Sequence, residues 1–147
     1  MEMQKELKLF GIKDVINTEE SRINYLKGLI RVAECDNNKT SVEEEYINQI
    51  AETFGATQSE IWKAEDQRSN NDSESIHFET KQEKLLFLMQ ALYLCWLDDG
   101  YSNSEREEIV KISVELGIHE SELAEIESWV KQGIEWMGAG AKLLGLE

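Results

Sequence analysis

The chain contains no proline, and only two cysteines and two histidines occur in its 147 residues. Positive charge is scarce as well: 15 Lys and Arg stand against 30 Asp and Glu, for a net charge of −15. Each shortage closes a class of reading. A strongly acidic chain is a poor partner for a nucleic-acid backbone or an anionic membrane surface, since both are polyanions. Cys35 and Cys95 both sit in apolar helical context and read as reduced core residues rather than a disulfide. With no secretory signal in view, that usage points to the cytoplasm. His77 and His119 lie far in sequence from the cysteines, which argues against a zinc site. Val-Ile-Thr runs with strand alternation are missing, as are a glycine-rich phosphate loop and a nucleophile–base constellation. An enzyme therefore has no support in the sequence.

Long apolar runs are absent too. The longest is Leu85–Leu97, thirteen residues in which Gln90 alone is polar. A bilayer crossing needs about 20 apolar residues, so no membrane insertion is expected. A helix apolar on all sides must instead be buried on most of them. This stretch is the expected central helix of an all-α, single-domain bundle of about seven helices spanning residues 1–147.

In chain order, residues 5–16 form a short amphipathic segment, and Asn17–Glu20 starts a helix that runs to about Cys35. Ile23, Leu26, Leu29, Ile30, Val32 and Ala33 are its inward positions. Ser41 and Glu44 have capping-box spacing ahead of a helix with Ile47, Ile50, Ala51 and Phe54 inward, stopped by Gly55. Thr57 and Glu60 repeat the box for a short helix carrying Trp62. Residues 66–79 read as a polar linker, after which Thr80 and Glu83 cap the central helix. A further helix begins near Ser104 with Ile109, Ile112 and Leu116 inward and ends at Gly117. The last starts around His119–Ser121 and carries Leu123, Ile126, Val130, Ile134 and Met137, with Gly138, Gly140 and Gly145 expected to fray it. Spacing also places the tryptophans Trp62, Trp96, Trp129 and Trp136 mainly in the core, with Trp62 a candidate for the surface.

Sliding the sequence on itself by 62 residues aligns 36–65 with 98–127 without a gap and gives nine identities. They are Asp36/Asp98, Glu43/Glu105, Glu45/Glu107, Ile47/Ile109, Ile50/Ile112, Gly55/Gly117, Ser59/Ser121, Glu60/Glu122 and Glu65/Glu127. Repeat one covers about 20–65 and repeat two about 80–137. One such unit cannot cover its own apolar face, so two pseudo-symmetric repeats are expected to pack on each other.

These residues carry a resemblance. A buried helix, an acidic turn, an amphipathic helix and a glycine stop resemble the pattern of the tellurite-resistance TerB-like family. In the first half Asn37, Asn38, Lys39, Thr40, Ser41, Glu43 and Glu44 follow it, closed by Phe54-Gly55-Ala56-Thr57. In the second half Asp99-Gly100, Asn103, Glu105 and Leu116-Gly117-Ile118 do so. The chain departs from the family at Asn37-Asn38, where the pattern has Asp-Gly. The resemblance implies an all-helical fold with internal pseudo-symmetry, a role in stress responses, and acidic turns that bind metal ions.

Oxygen-rich turns suit a hard divalent cation such as calcium, which takes 6–8 oxygen ligands. The expected ligands are Asp36 and Glu43 in one turn and Asp98, Asp99 and Glu105 in the other, with Asn37, Asn38 and Ser102 nearby. An EF-hand does not fit, because Ile47 and Ile109 fall where its twelfth-position glutamate belongs. Asp, Asn and Glu at a helix start also serve as caps and dipole partners. Two functions thus stand: a non-catalytic TerB-like module that binds cations and contacts a protein partner, or an acidic immunity, inhibitor or adaptor protein for a basic partner.

Overall fold

A computed structural model describes residues 15–35, 41–69, 76–96 and 101–146, with residues 67–69 described by backbone alone. These residues form α-helices with no strand: α1 (Glu19–Glu34), α2 (Ser41–Thr53), α3 (Gln58–Ser69), α4 (Lys81–Trp96), α5 (Asn103–Glu115) and α6 (Glu120–Leu143). That makes six among the described residues. The seventh expected helix, at 5–16, lies almost wholly outside them.

Local signals set the helix ends. Thr18 caps α1, with its hydroxyl accepting the Ser21 N–H. Thr57, Thr80 and Ser102 cap α3, α4 and α5 in the same manner, each accepting from the N–H of a glutamate three residues on. Gly55 and Gly117 adopt φ of 75° and 74°, the left-handed region glycine enters without a Cβ penalty. Past each one, the N–H of Ala56 or Ile118 donates back to the carbonyl of Ala51 or Ser113, closing the orphan end of the helix.

Two helices share the centre. α4 buries Leu86, Phe87, Leu88, Gln90, Ala91, Leu92, Leu94 and Cys95, as its sequence requires. Every residue of α1 from Tyr25 to Ala33 is buried as well, including Lys27 and Arg31. α1 packs on α2, α3, α4 and α5, while α4 packs on α1, α5 and α6. The two central helices meet closely at Gly28: a Cβ there would lie 2.5 Å from the Phe87 ring. Tyr25 adds edge-on contacts to Phe54, Phe78 and Phe87 at 5.4, 6.2 and 5.5 Å.

Gln90, the lone polar residue of the central run, is fully buried. Its side-chain oxygen accepts the Tyr25 hydroxyl, and its amide donates to the Tyr46 hydroxyl at 3.0 Å. One amide thus joins α1, α2 and α4. Burial raises the Tyr25 and Tyr46 phenols well above their usual range, so both remain neutral donors and acceptors.

Several expectations need correction. The polar stretch at 66–79 is not all linker: α3 runs on to Ser69, and Ile76 and Phe78 are buried at 3 % exposure each. The last turns of α3 lack an apolar stripe and so carry no periodic signal. Ile76 and Phe78 are two residues apart in a non-helical segment, the spacing that sends both side chains to one side. α2 begins at Ser41 itself, so its capping position falls one residue earlier, outside the described residues. Glu43, 4 % exposed, rather than the exposed Glu44, is the inward acid of its first turn. The sequence doublets Thr40-Ser41 and Glu43-Glu44 fit box spacing in either register, which is why spacing alone misplaced it. Finally, α6 does not fray at Gly138 or Gly140 but continues to Leu143. Ile134 and Met137 pack against the core and sustain it.

Gly28→Ala is expected to destabilise the chain by about 1–2 kcal/mol, the overpacking cost less the helix-propensity gain of alanine. Urea unfolding monitored by far-UV circular dichroism checks this; equal or greater stability would mean that the Gly28–Phe87 approach is not a constraint.

Candidate functional site

Of the five expected cation ligands, Asp36, Asp98 and Asp99 lie outside the described residues. Glu43 and Glu105 occupy the first turns of α2 and α5, both buried, at 4 % and 7 % exposure. The Glu105 carboxylate accepts the Ser102 N–H at 3.0 Å, and its own N–H donates to the Ser102 hydroxyl at 3.2 Å. Ser102, named as a nearby oxygen donor, is thus the cap of α5. Among the described residues no group of three or more His, Cys, Asp or Glu converges as a metal site would require. His119, also weighed as a ligand, caps α6, with Nδ1 accepting the Ser121 N–H at 3.1 Å.

Shifted by 62 residues, the bounds of α1 fall on those of α4, those of α2 on α5, and the start of α3 on the start of α6. Glu60 and Glu122, one of the aligned pairs, both serve as the third helical residue of a capping box, and Glu105 does the same for α5. Two of the nine identities, Glu60/Glu122 and Gly55/Gly117, thus serve to start and stop helices.

Two arginine clamps, that of Arg31 buried and that of Arg22 half-buried, escaped the spacing arguments. Arg31 in α1, with its side chain 4 % exposed, reaches across to α5. Its Nη1 and Nη2 donate to the two Glu115 oxygens at 3.0 and 2.9 Å, and its Nε donates to Glu108. Burial alone would lower the guanidinium pKa, but the hydrogen bonds from Glu115 and Glu108 outweigh it and hold the charge firmly. Arg22 binds Glu60 through Nε at 2.9 Å and Nη2 at 2.7 Å, tying α1 to α3. For Arg31 the signal in the sequence was a charge within the stretch Tyr25–Ala33, whose other positions apart from Lys27 are apolar or glycine. Guanidinium–carboxylate forks of this kind fix geometry.

The tryptophans do not follow the core expectation. Trp62, Trp129 and Trp136 are 63, 39 and 69 % exposed, and only Trp96 is half-buried, stacked obliquely on Tyr101 at 6.1 Å. A seven-residue step fixes a common face but not which way that face points. Trp62 stands on α3 at the mouth of a shallow concavity lined by Ser59, Lys63, Glu65 and Asp66. Lys63 is held at 3.0 Å by Glu19 of α1. At the position equivalent to Trp62 the second half has Ala124. Comparison with protein-family models, curated proteins and solved structures finds no match.

Arg22 holds the Glu60 carboxyl below its ordinary value of 4.5, with Thr57 helping against the effect of burial. A carboxyl depressed in the folded state adds stability above its unfolded pKa and loses it as pH falls through the folded value. The stability gap between wild type and Glu60→Gln should therefore be full at neutral pH and shrink below about pH 4.5. Urea midpoints across pH 3–7 test this; a gap that does not change with pH would show that Arg22 does not perturb Glu60.

Proposed function

We propose that this chain is a TerB-like, non-catalytic helical module of two pseudo-symmetric repeats that acts in the cytoplasm by contact with a basic protein partner. The repeat reading is supported by the 62-residue correspondence of helix bounds and glycine stops. It is supported too by packing: α1 on α2 and α3 parallels α4 on α5 and α6. The family reading rests on the residues of the acidic and closing turns, and the stress-response role comes with that resemblance.

Trp62 carries the partner reading. A large indole 63 % exposed, beside Glu65 and Asp66, is an aromatic anchor in an acidic surround. Its face attracts a guanidinium or ammonium group by about 0.5–2 kcal/mol, depending on how far the pair is desolvated. The charge of −15 adds long-range steering of a basic surface. Titration with an arginine-rich peptide, followed by tryptophan fluorescence, is expected to show binding that weakens with salt and ignores chelator. Trp62→Ala should weaken it by about tenfold, the scale of a desolvated aromatic anchor. Binding of equal strength in that variant would sink the reading.

The divalent-cation reading is favoured by the equivalence of the two turns, Asp36 with Asp98 and Glu43 with Glu105. If Asp98 and Asp99 hold no cation, Asp98→Asn/Asp99→Asn should leave stability within about 1 kcal/mol, because Ser102, and neither aspartate, caps α5. If they share a cation, the same variant should be more stable without metal, through relief of repulsion, and should lose any calcium-dependent rise in melting temperature. Melting both proteins in chelator and in millimolar calcium separates the two; identical small shifts in both buffers would sink the cation site.

A further inference from the structure

The two halves treat one carboxylate differently. In the second half Glu127 of α6 is taken up inside the chain: the Tyr101 hydroxyl donates to it at 2.9 Å, and Nε of Arg106 on α5 pairs with it at 3.4 Å. A guanidinium thus bridges α5 and α6. Under the 62-residue shift the counterpart of Glu127 is Glu65 of α3, and the counterpart of Arg106 is Glu44 of α2. Glu44 and Glu65 line one cleft between α2 and α3, together with Leu26, Ile30 and Ala51. Where the second half supplies an arginine of its own, the first half sets a second acid.

Glu44 has another interaction inside the chain, so the weight falls on Glu65. Glu65 is exposed, and its carboxylate enters no hydrogen bond or ion pair among the described residues. It also borders a feature that the second half lacks. Trp62 stands 63 % exposed where the other half has Ala124, and Glu65 and Asp66 line the concavity at its edge. Residues three and four positions on from Trp62 share its side of the helix. Lys63, the cation lining the same concavity, is paired with Glu19 at 3.0 Å.

An indole face beside a carboxylate recognises a guanidinium in two ways. The ring attracts the flat cation over its face, and the carboxylate oxygens accept its N–H groups as a fork. An ammonium brings the same charge but has neither the plane to stack nor the fork to fit. We propose, resting on the repeat and basic-partner readings above, that Glu65 reads an arginine of the partner. The guanidinium stacks on Trp62 and pairs with Glu65, and Asp66 adds charge at the rim. The partner thereby supplies from outside the ion pair that Arg106 makes with Glu127 within the chain.

The test uses two labelled peptides of equal length and charge, one arginine-rich and one with lysine at each arginine. Each is titrated with the full chain and followed by fluorescence anisotropy. The arginine peptide should bind about fivefold or more tighter than its lysine twin. Glu65→Gln should weaken the arginine peptide by about tenfold and erase the preference, the scale of losing a fork beside an aromatic anchor. Glu127→Gln removes the same charge from the equivalent position, and both affinities should stay nearly as they were. Glu44→Arg recreates the arrangement of the second half and should block the arginine peptide. Glu45→Arg, with the same change of charge next to it, should cost much less. Circular dichroism melts check that each variant is folded. Equal binding of both peptides through Trp62, or equal losses in Glu65→Gln and Glu127→Gln, would overturn the proposal and leave the basic-partner reading standing. Binding that ignores Trp62→Ala would overturn both.

Discussion

Methyl groups and rings carry little directional information, so a helix apolar on every side could meet its neighbours in several registers. Here the register is fixed by one amide. Gln90 is buried among side chains that offer it two partners, the hydroxyls of Tyr25 and Tyr46, and sliding α4 by one residue would strand all three polar groups. An unsatisfied buried polar group costs about 1–3 kcal/mol, enough to outweigh the small differences among alternative apolar packings. The close approach of α1 at Gly28 and the ring cluster around Tyr25 depend on that register.

Around this centre, charged residues act as fasteners. Arg22 and Arg31 extend from the buried helix α1 to Glu60 on α3 and to Glu108 and Glu115 on α5. Tyr101 donates to Glu127 at 2.9 Å and so ties the entry to α5 onto α6. Of the acidic residues that look most like ligands in the sequence, Glu105 is engaged at a helix start. On the outer surface an acidic field surrounds exposed indoles.

The sequence revealed the parts of the fold that depend on neighbours within four residues. The starts of α1, α3, α4 and α6 and the stops at Gly55 and Gly117 follow from caps and glycines, whose partners are local. Most of the run from Leu85 to Trp96 is buried, as the lack of a polar face announced. The roles of Arg31 and Gln90 were hidden, since their partners lie 44–84 residues away and only the folded chain brings them together. Ile76 and Phe78 were masked by the polar run before them. The tryptophans were misread because periodicity defines a stripe without saying which stripe faces inward. Of the candidate site, Glu43 and Glu105 lie in the first turns of α2 and α5, and their burial depends on packing that spacing cannot show.

The contact between α1 and α4 joins positions that correspond under the 62-residue shift yet hold unlike residues. Tyr25 corresponds to Phe87 and Gly28 to Gln90. The first half supplies the hydroxyl and the gap; the second supplies the amide and the ring that fills it. A chain with two copies of the first half would have tyrosines with no amide to bind. One with two copies of the second would press rings against glutamines. If the halves began as identical units, each has since become the other's only fitting partner. Recombination that exchanged one half for that of a diverged homologue would then be barred unless both sides of this contact travelled together.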